Sequence, residues 1–300
     1  MRSVYWAAIA VVILSSPARS AELTYEDLTE DETTAAVEYV VGNALYTMLH
    51  ESGHMLISEF DLPVLGREED AVDNLATIML LEGGSEAFEQ ALADRADGSW
   101  TKHELAAAAD DAEEDHSAYY DEHGLDLQRS YQVICLMVGQ DPDRFSDIAD
   151  SYELPADRRE RCGWEYQQVS DSWAKLLEPH QNTDGSGAAI TVSYEETSDP
   201  ELLWAYTVIK ESRVLDTVAE TMAQRYVLEP GITFTAKACG EANAYWYPAK
   251  REATFCYEYA NFFGRIMLDW TAGERSGANA EETEGADAGD DTSDRQTSAQ

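Results

Sequence analysis

From position 33 to position 60 apolar residues recur with the period of an α-helix, and this stretch contains the motif His-Glu-x-x-His at His50, Glu51 and His54. Residues four apart share a helix face, so His50 and His54 can present two imidazoles to one metal ion. Glu51 follows His50 by roughly 100° around the helix, which can aim its carboxylate at a water molecule that the metal activates. We therefore expect a zinc-binding helix in which Glu51 is the catalytic base.

The motif has two other interpretations. The first is an exposed helix with two incidental histidines. The apolar flanks Leu49, Met55 and Leu56 argue against it, because they bury the stretch and two buried neutral histidines without a partner would be costly. The second is the extended three-histidine motif, which is excluded because Ile57 and Phe60 stand where it requires Gly and His.

The third protein ligand of a catalytic zinc must therefore come from elsewhere, and the next predicted helix opens with candidates. Glu69 and Asp73 are four residues apart and share a face. We predict Glu69 as the ligand and Asp73 as the acceptor of the second N–H of a ligand histidine. Glu68 and Asp70 remain alternative ligands, although acids in a first helical turn are also favoured by the helix dipole.

The hydrophobic pattern of the whole chain predicts an α+β fold that is predominantly helical, with a small β-sheet or hairpin late in the chain. The predicted helices cover residues 33–60, 68–81, 85–96, 127–138, 164–177, 200–226 and 259–270, and the predicted strands cover residues 187–194, 231–238, 244–247 and 252–257. The last two strands form the predicted hairpin.

The first 20 residues have the pattern of a signal peptide. Arg2 precedes an apolar run at residues 7–14, and a small-x-small cleavage site ends at Ser20. A membrane-spanning helix needs roughly 20 apolar residues, so this run is too short to be one. We predict a periplasmic or secreted product with no stable membrane insertion after cleavage.

Charge limits the partners of the chain and marks its far end. The sequence has 59 Asp and Glu against 20 Lys and Arg, a net charge of −39. Nucleic acids and anionic membranes select clustered basic charge, so neither is expected as a partner. Residues 272–300 have eight acids, two arginines and no large apolar residue, which predicts an acidic disordered tail after a folded domain at residues 21–271.

The four cysteines allow three disulfide pairings. We favour Cys135 with Cys162 and Cys239 with Cys256, since nearest-neighbour pairing closes loops inside two separate segments. A zinc–cysteine site is the alternative, but no C-x-x-C spacing occurs.

The chain resembles a bacterial family of exported zinc metallopeptidases whose domain is still described as one of unknown function. The matching segments are HESGHMLISEFDLPVLGREEDAVDNLA, DEHGLDLQRSYQVICLMVGQDPDRF, LPADRRERCGWEYQQ and CGEANAYWYPAKREATFCYEY. The resemblance spans roughly residues 50–259 and implies a gluzincin-like site, similar to that of thermolysin-type enzymes. Only 14 residues separate His54 from Glu69, fewer than usual in that clan, so the connecting loop must be tight.

Two further candidates follow from similarity to such enzymes. His123 can stabilise the oxyanion of a tetrahedral intermediate, as a late histidine does in thermolysin-like enzymes, and Arg129 or Tyr131 can do the same. The alternative for His123 is a surface histidine among solvated acids. Asn243 and Ala244 resemble the substrate-holding edge strand of neprilysin-like peptidases, and the alternative is an aromatic hairpin that packs the core.

These observations predict a zinc-dependent peptidase that acts on a peptide or protein substrate. The competing hypothesis is a catalytically inactive, metallopeptidase-like binding or scaffold protein of the periplasm.

Overall fold

The computed structural model describes residues 23–108 and 116–287, so the predicted signal peptide lies outside the described residues. The helices are α1 (Glu30–Phe60), α2 (Glu68–Gly83), α3 (Glu86–Ala107), α4 (Ser117–Tyr120), α5 (Asp126–Gln140), α6 (Ser146–Ser151), α7 (Ala156–Leu177), α8 (Leu203–Ser212), α9 (Val214–Arg225) and α10 (Tyr257–Asp287), and the strands are β1 (Thr191–Tyr194), β2 (Thr233–Lys237), β3 (Ala244–Tyr247) and β4 (Glu252–Cys256). The fold is α+β and predominantly helical, as predicted. None of the helices in the described part of the chain combines the length and apolar character needed to cross a membrane.

Helix α1 is the central element of the fold. It begins with a capping box, in which Glu32 N–H donates to the Thr29 hydroxyl and Thr29 N–H donates to the Glu32 carboxylate. It ends at Asp61, which has the left-handed conformation with φ 52°. Between these ends α1 packs against α2, α3, α8, α9, α10, β3 and β4. The half of α1 that carries the histidine motif is therefore surrounded by other elements.

The four strands form one sheet in the order β1-β2-β4-β3. β1 and β2 are parallel, β2 and β4 are parallel, and β3 runs antiparallel to β4. The predicted hairpin of β3 and β4 is thus confirmed. β3 is an edge strand that contacts α1, which places one open edge of the sheet beside the histidine motif.

Both favoured disulfides are confirmed. Cys135 on α5 is bonded to Cys162 on α7, and Cys239 after β2 is bonded to Cys256 at the end of β4. The second disulfide joins the segment before β3 to the strand that pairs with it, so it fixes the entry into the edge strand.

The predicted helix at residues 200–226 is wrong in one respect, because it is two helices, α8 and α9. They meet at Arg213, whose φ of 53° lies in the left-handed region. A helix cannot continue through that conformation. No Gly or Pro marks this break, which explains why the pattern did not reveal it.

The last helix is longer than the predicted helix at residues 259–270. Helix α10 continues to Asp287, so residues 272–287 are helical where the composition predicted a disordered tail. Arg275 of this extension forms an ion pair with Glu32 at the start of α1, which ties the helix to the body of the protein. The rest of the predicted tail, residues 288–300, lies outside the described residues.

The packing of α5 on α7 gives a test of the fold. A Cβ added at Gly139 would lie 2.3 Å from the backbone oxygen of Cys162, while one added at Gly163 would meet no atom nearer than 3.9 Å. We expect Gly139→Ala to destabilise the protein by about 1–3 kcal/mol through overpacking. We expect Gly163→Ala to be neutral or stabilising by up to about 1 kcal/mol, since Ala favours a helix over Gly.

Thermal unfolding of the two variants, each with both disulfides intact, measures this difference. Equal melting temperatures for Gly139→Ala and Gly163→Ala would show that α5 and α7 do not pack as described.

Candidate metal centre

The histidine motif lies on the buried side of α1. His50 is 5% exposed and Glu51 is 6% exposed, and the imidazole centroids of His50 and His54 are 5.0 Å apart. The polar side chains of His50, Glu51 and His54 point into the interior of the protein, where apolar side chains are usual. Their burial indicates that the three side chains act together on one bound ligand.

Helix α2 brings the predicted third residue to the two histidines. Glu69 Oε2 lies 3.0 Å from His50 Nε2, and Glu69 Oε1 lies 3.3 Å from His54 Nε2. The ligand atoms of these three residues all lie within 4.8 Å of one another, a grouping that can hold a metal ion. Of the alternative ligands, Glu68 contacts only the outer nitrogen of His54, Nδ1, at 2.7 Å, and Asp70 lies beside Arg67.

The close approach of α2 depends on the glycine inside the motif. A Cβ at Gly53 would lie 2.7 Å from Cβ and 2.8 Å from Cγ1 of Val72, closer than such atoms can pack. The two helices are therefore in contact at this point. Val72 lies between Glu69 and Asp73 in sequence, so the contact at Gly53 sets the position of both acids.

The three side chains fit a divalent cation. Glu69 Oε2 lies 3.0 Å from nitrogens of both His50 and His123, yet it is buried and makes no hydrogen bond. Lone pairs of a carboxylate and of neutral imidazoles that face one another repel unless a proton or a cation lies between them. Two imidazole nitrogens and one carboxylate are the donor set of many catalytic metal sites.

Asp73 contacts His50 at Nδ1, the ring nitrogen that does not face Glu69. Its carboxylate lies 2.8 Å from His50 Nδ1 and accepts two hydrogen bonds from Arg129, at 2.6 and 2.9 Å. Burial alone would raise the pKa of Asp73, but the charges of Arg129 and His50 hold it well below its usual range. Burial lowers the pKa of His50, and Asp73 and Glu69 outweigh this and raise it to about 9. An anionic Asp73 orients the imidazole so that Nε2 faces Glu69.

His123 joins the centre from the segment between α4 and α5. Its Nε2 lies 3.0 Å from Glu69 Oε2, and its Nδ1 lies 2.8 Å from Asp121 Oδ1. Arg67, just before α2, donates a hydrogen bond to the backbone oxygen of His123 at 3.0 Å. Contact with Glu69 raises the pKa of His123. The imidazole therefore faces the site with its outer nitrogen held by an acid.

The two alternatives to His123 have other partners. Arg129 is bound to Asp73, and the Tyr131 hydroxyl donates to the backbone oxygen of Tyr152 at 3.1 Å. Sequence reasoning missed Asp121 and the contact of Glu68 with His54 Nδ1. The position of Asp121 two residues before His123 in the sequence was a signal for the former.

Glu51 lines two cavities that meet at the metal centre. One, of about 620 Å³, extends from His54 along the edge strand β3, and the other, of about 310 Å³, extends towards α3 and α10. Burial raises the pKa of Glu51, although the neighbouring histidines oppose this effect. A carboxylate with a raised pKa is suited to accept a proton and to release it again.

Asn243 and Ala244 also line both cavities, at the start of β3. The Asn243 side-chain oxygen accepts a hydrogen bond from Ala244 N–H at 2.9 Å, and its backbone oxygen accepts one from Cys256 N–H at 3.1 Å. The predicted pair therefore lies beside the site, but the Ala244 N–H is already bound within the chain.

Comparison with protein families gives one finding. A family model described as "DUF4344: Putative metallopeptidase" matches residues 7–177 and 194–287. No curated protein and no solved structure matches the chain.

Metal binding tests the centre directly. We expect one zinc ion per chain, and we expect His50→Ala to lower zinc affinity by more than about a hundredfold, because it removes a ligand rather than an outer partner. Titration with a competing chelator measures the affinity. His103→Ala, which changes an exposed histidine of α3, is the matched control and should bind zinc as the wild type does. Full zinc affinity in His50→Ala would show that the metal is bound elsewhere.

The contact between α1 and α2 gives a second test. We expect Gly53→Ala to lower zinc affinity roughly tenfold or more, because the added methyl group displaces Val72 and with it Glu69 and Asp73. Gly53→Ala combined with Val72→Ala should recover much of the lost affinity, since the smaller side chain makes room. Gly273→Ala, where an added Cβ meets nothing within 4 Å, is the control. A Gly53→Ala variant with unchanged affinity would contradict this account.

Proposed function

The chain belongs to the DUF4344 family of metallopeptidase-like proteins, and on that premise we propose that it is a zinc-dependent peptidase. The observation that carries the proposal is the convergence of His50, His54 and Glu69 beside the buried carboxylate of Glu51. His50, His54 and Glu69 would hold the zinc ion. Zinc bound there supplies a Lewis acid that polarises the substrate carbonyl and lowers the pKa of water to about 7.

Glu51 is the general base and then the proton donor. Its carboxylate takes a proton from the attacking water and delivers it to the leaving amine. The raised pKa of the buried carboxylate makes it a stronger base towards the attacking water. Gln at this position keeps the shape of the side chain but can do neither.

His123 stabilises the developing oxyanion. Its Nε2 faces the centre, and Asp121 holds Nδ1 and so stabilises the protonated imidazole that donates the hydrogen bond. Its raised pKa keeps more of it protonated near neutral pH.

The edge strand β3 supports binding of an extended peptide. Its outer edge borders the larger cavity, where the backbone of a substrate can add to the sheet as a further strand. Asn243 and Ala244 lie at the end of this strand nearest to Glu51, where they can contact the residues around the scissile bond.

The site of action that we propose is the periplasm or the extracellular space. Two disulfides join the four cysteines, and such bonds persist in oxidising compartments. The predicted signal peptide leads to the same place.

Loss of the base tests the enzyme proposal. We expect Glu51→Gln to bind zinc at full stoichiometry and to reduce peptide hydrolysis by at least about a hundredfold, the lower range for general acid–base catalysis. Hydrolysis of a mixed peptide library, followed by mass spectrometry, measures the activity. Glu38→Gln, which changes an exposed acid of the same helix, is the control and should keep full activity.

Two results would contradict the peptidase proposal. If Glu51→Gln hydrolyses the library as fast as the wild type, the activity arises elsewhere. If the zinc-loaded wild type hydrolyses nothing, the chain is a metallopeptidase-like binding protein.

A further inference from the structure

The smaller cavity at the metal centre has a cationic lining. Its walls include Arg95 and Lys102 of α3, Arg129 of α5 and Tyr259 of α10, and it opens onto Glu51 and His123. We call it the cationic cavity. In a chain with 59 acids against 20 bases, three cations around one cavity are unexpected.

Arg95 is the decisive residue of this cavity. It is 2% exposed, and its Nε makes no hydrogen bond. Within residues 23–108 and 116–287 no carboxylate lies at ion-pair distance from its guanidinium, which instead lies over the ring of Tyr46, 4.8 Å from the centroid. A buried charge without a partner is costly, and proteins normally pair such groups. A ligand can be that partner.

The other two cations differ from Arg95. Arg129 is balanced by Asp73, with two hydrogen bonds between them. Lys102 Nζ lies 3.3 Å from the Tyr259 hydroxyl and 5.1 Å from the centroid of its ring. Burial raises the pKa of Tyr259, but Lys102, Arg95 and Arg129 outweigh it and lower the pKa to about 7. The three cations therefore favour the anionic form of a group that lies beside them in the cavity.

Three acids also line the cavity, and each has a place apart from Arg95. Glu51 and Asp121 belong to the metal centre, where Asp121 is held by His123. Asp126 lies in the first turn of α5 and does not pair with Arg95.

Tyr46 connects Arg95 to the reacting centre. Its ring lies under the guanidinium, and its hydroxyl donates to the backbone oxygen of Asp73 at 2.9 Å, while the Asp73 carboxylate holds His50. Only the side chain of Tyr46 separates the Arg95 guanidinium from Asp73, which holds the metal ligand His50. An anion bound to Arg95 would lie in the cavity that Glu51 and His123 also line.

We propose that the cationic cavity is a specificity pocket in which Arg95, assisted by Lys102, binds a carboxylate of the substrate residue next to the scissile peptide bond. The planar guanidinium matches a carboxylate with two parallel hydrogen bonds. In a peptide this carboxylate is either the side chain of Asp or Glu or the free C-terminus. The proposal rests on the peptidase function and names its substrate class.

The first experiment compares matched peptides with the zinc-loaded mature protein. Acetylated and amidated hexapeptides carry Glu or Gln, or Asp or Asn, at one central position and no other acid. In a second set the centre is Gln, and the C-terminus is either free or amidated in peptides of decreasing length. Mass spectrometry identifies each cleaved bond and gives the ratio of kcat/KM within each pair.

We expect a preference of roughly tenfold or more for the carboxylate member of one set, the strength of a charge-assisted hydrogen bond. A preference in the first set assigns the pocket to an acidic side chain, and a preference in the second assigns it to the C-terminus. In Arg95→Met, which keeps an unbranched apolar stem and removes the charged guanidinium, the ratio should fall towards 1. In Arg144→Met, which changes a half-exposed arginine paired with Glu89, the ratio should not change.

The second experiment does not require turnover. Glutarate should raise the melting temperature of the zinc-loaded wild type by at least roughly 2 °C, and the neutral glutaramide should not. The difference should vanish in Arg95→Met and persist in Arg144→Met. Stabilisation of Arg95→Met equal to that of the wild type would mean that the carboxylate binds the metal and not the cavity.

The two experiments separate the two proposals. Selective stabilisation by glutarate without any hydrolysis would leave the carboxylate pocket standing and overturn the peptidase. Hydrolysis with ratios near 1 in both sets, and no stabilisation that depends on Arg95, would leave the peptidase standing and overturn the pocket.

Discussion

The contact of α1 with α2 at Gly53 is the constraint on which the candidate centre depends. A methyl group at this position would overlap Val72, which lies in α2 between Glu69, at the two histidines, and Asp73, beside His50. Because close-packed helices cannot be shifted without moving their side chains, one missing Cβ controls the distances between three donor groups. The short segment of residues 61–67 connects α1 to α2. The glycine between the two histidines is therefore a structural part of the motif.

The buried charges of the protein fall into two kinds. Asp73 is fully satisfied: Arg129, His50 and the Tyr46 hydroxyl surround it, and the charges around it keep it ionised despite its burial. Arg95, on the other side of the Tyr46 ring, is as deeply buried and has no acidic partner among the described residues. The first kind fixes the geometry of the metal ligands. The second kind is available to bind an anionic group of a substrate, which is the basis of the proposed substrate preference.

Local sequence patterns predicted much of the fold. The period of α1, the acids that open α2 and the turn between β3 and β4 are each contained in one continuous stretch of sequence, so propensity and periodicity are sufficient to recognise them. The break at Arg213 and the extension of α10 beyond position 271 were missed for the opposite reason. A left-handed Arg and an acidic helix held by an ion pair between Arg275 and Glu32 are stabilised by contacts that no local pattern contains.

The sequence by itself determined that His50 and His54 share one helix face and that Glu69 and Asp73 share a face of the next helix, because residues four apart on a helix lie on the same side. It also determined which cysteines were nearest neighbours. Only the tertiary structure decided that Glu69, rather than Glu68 or Asp70, faces both histidines, since that choice depends on how α2 is rotated against Gly53. It also decided the place of Arg95, which no motif marks. Its significance arises from the absence of an acid near it in the described residues, and such an absence is a property of three-dimensional packing alone.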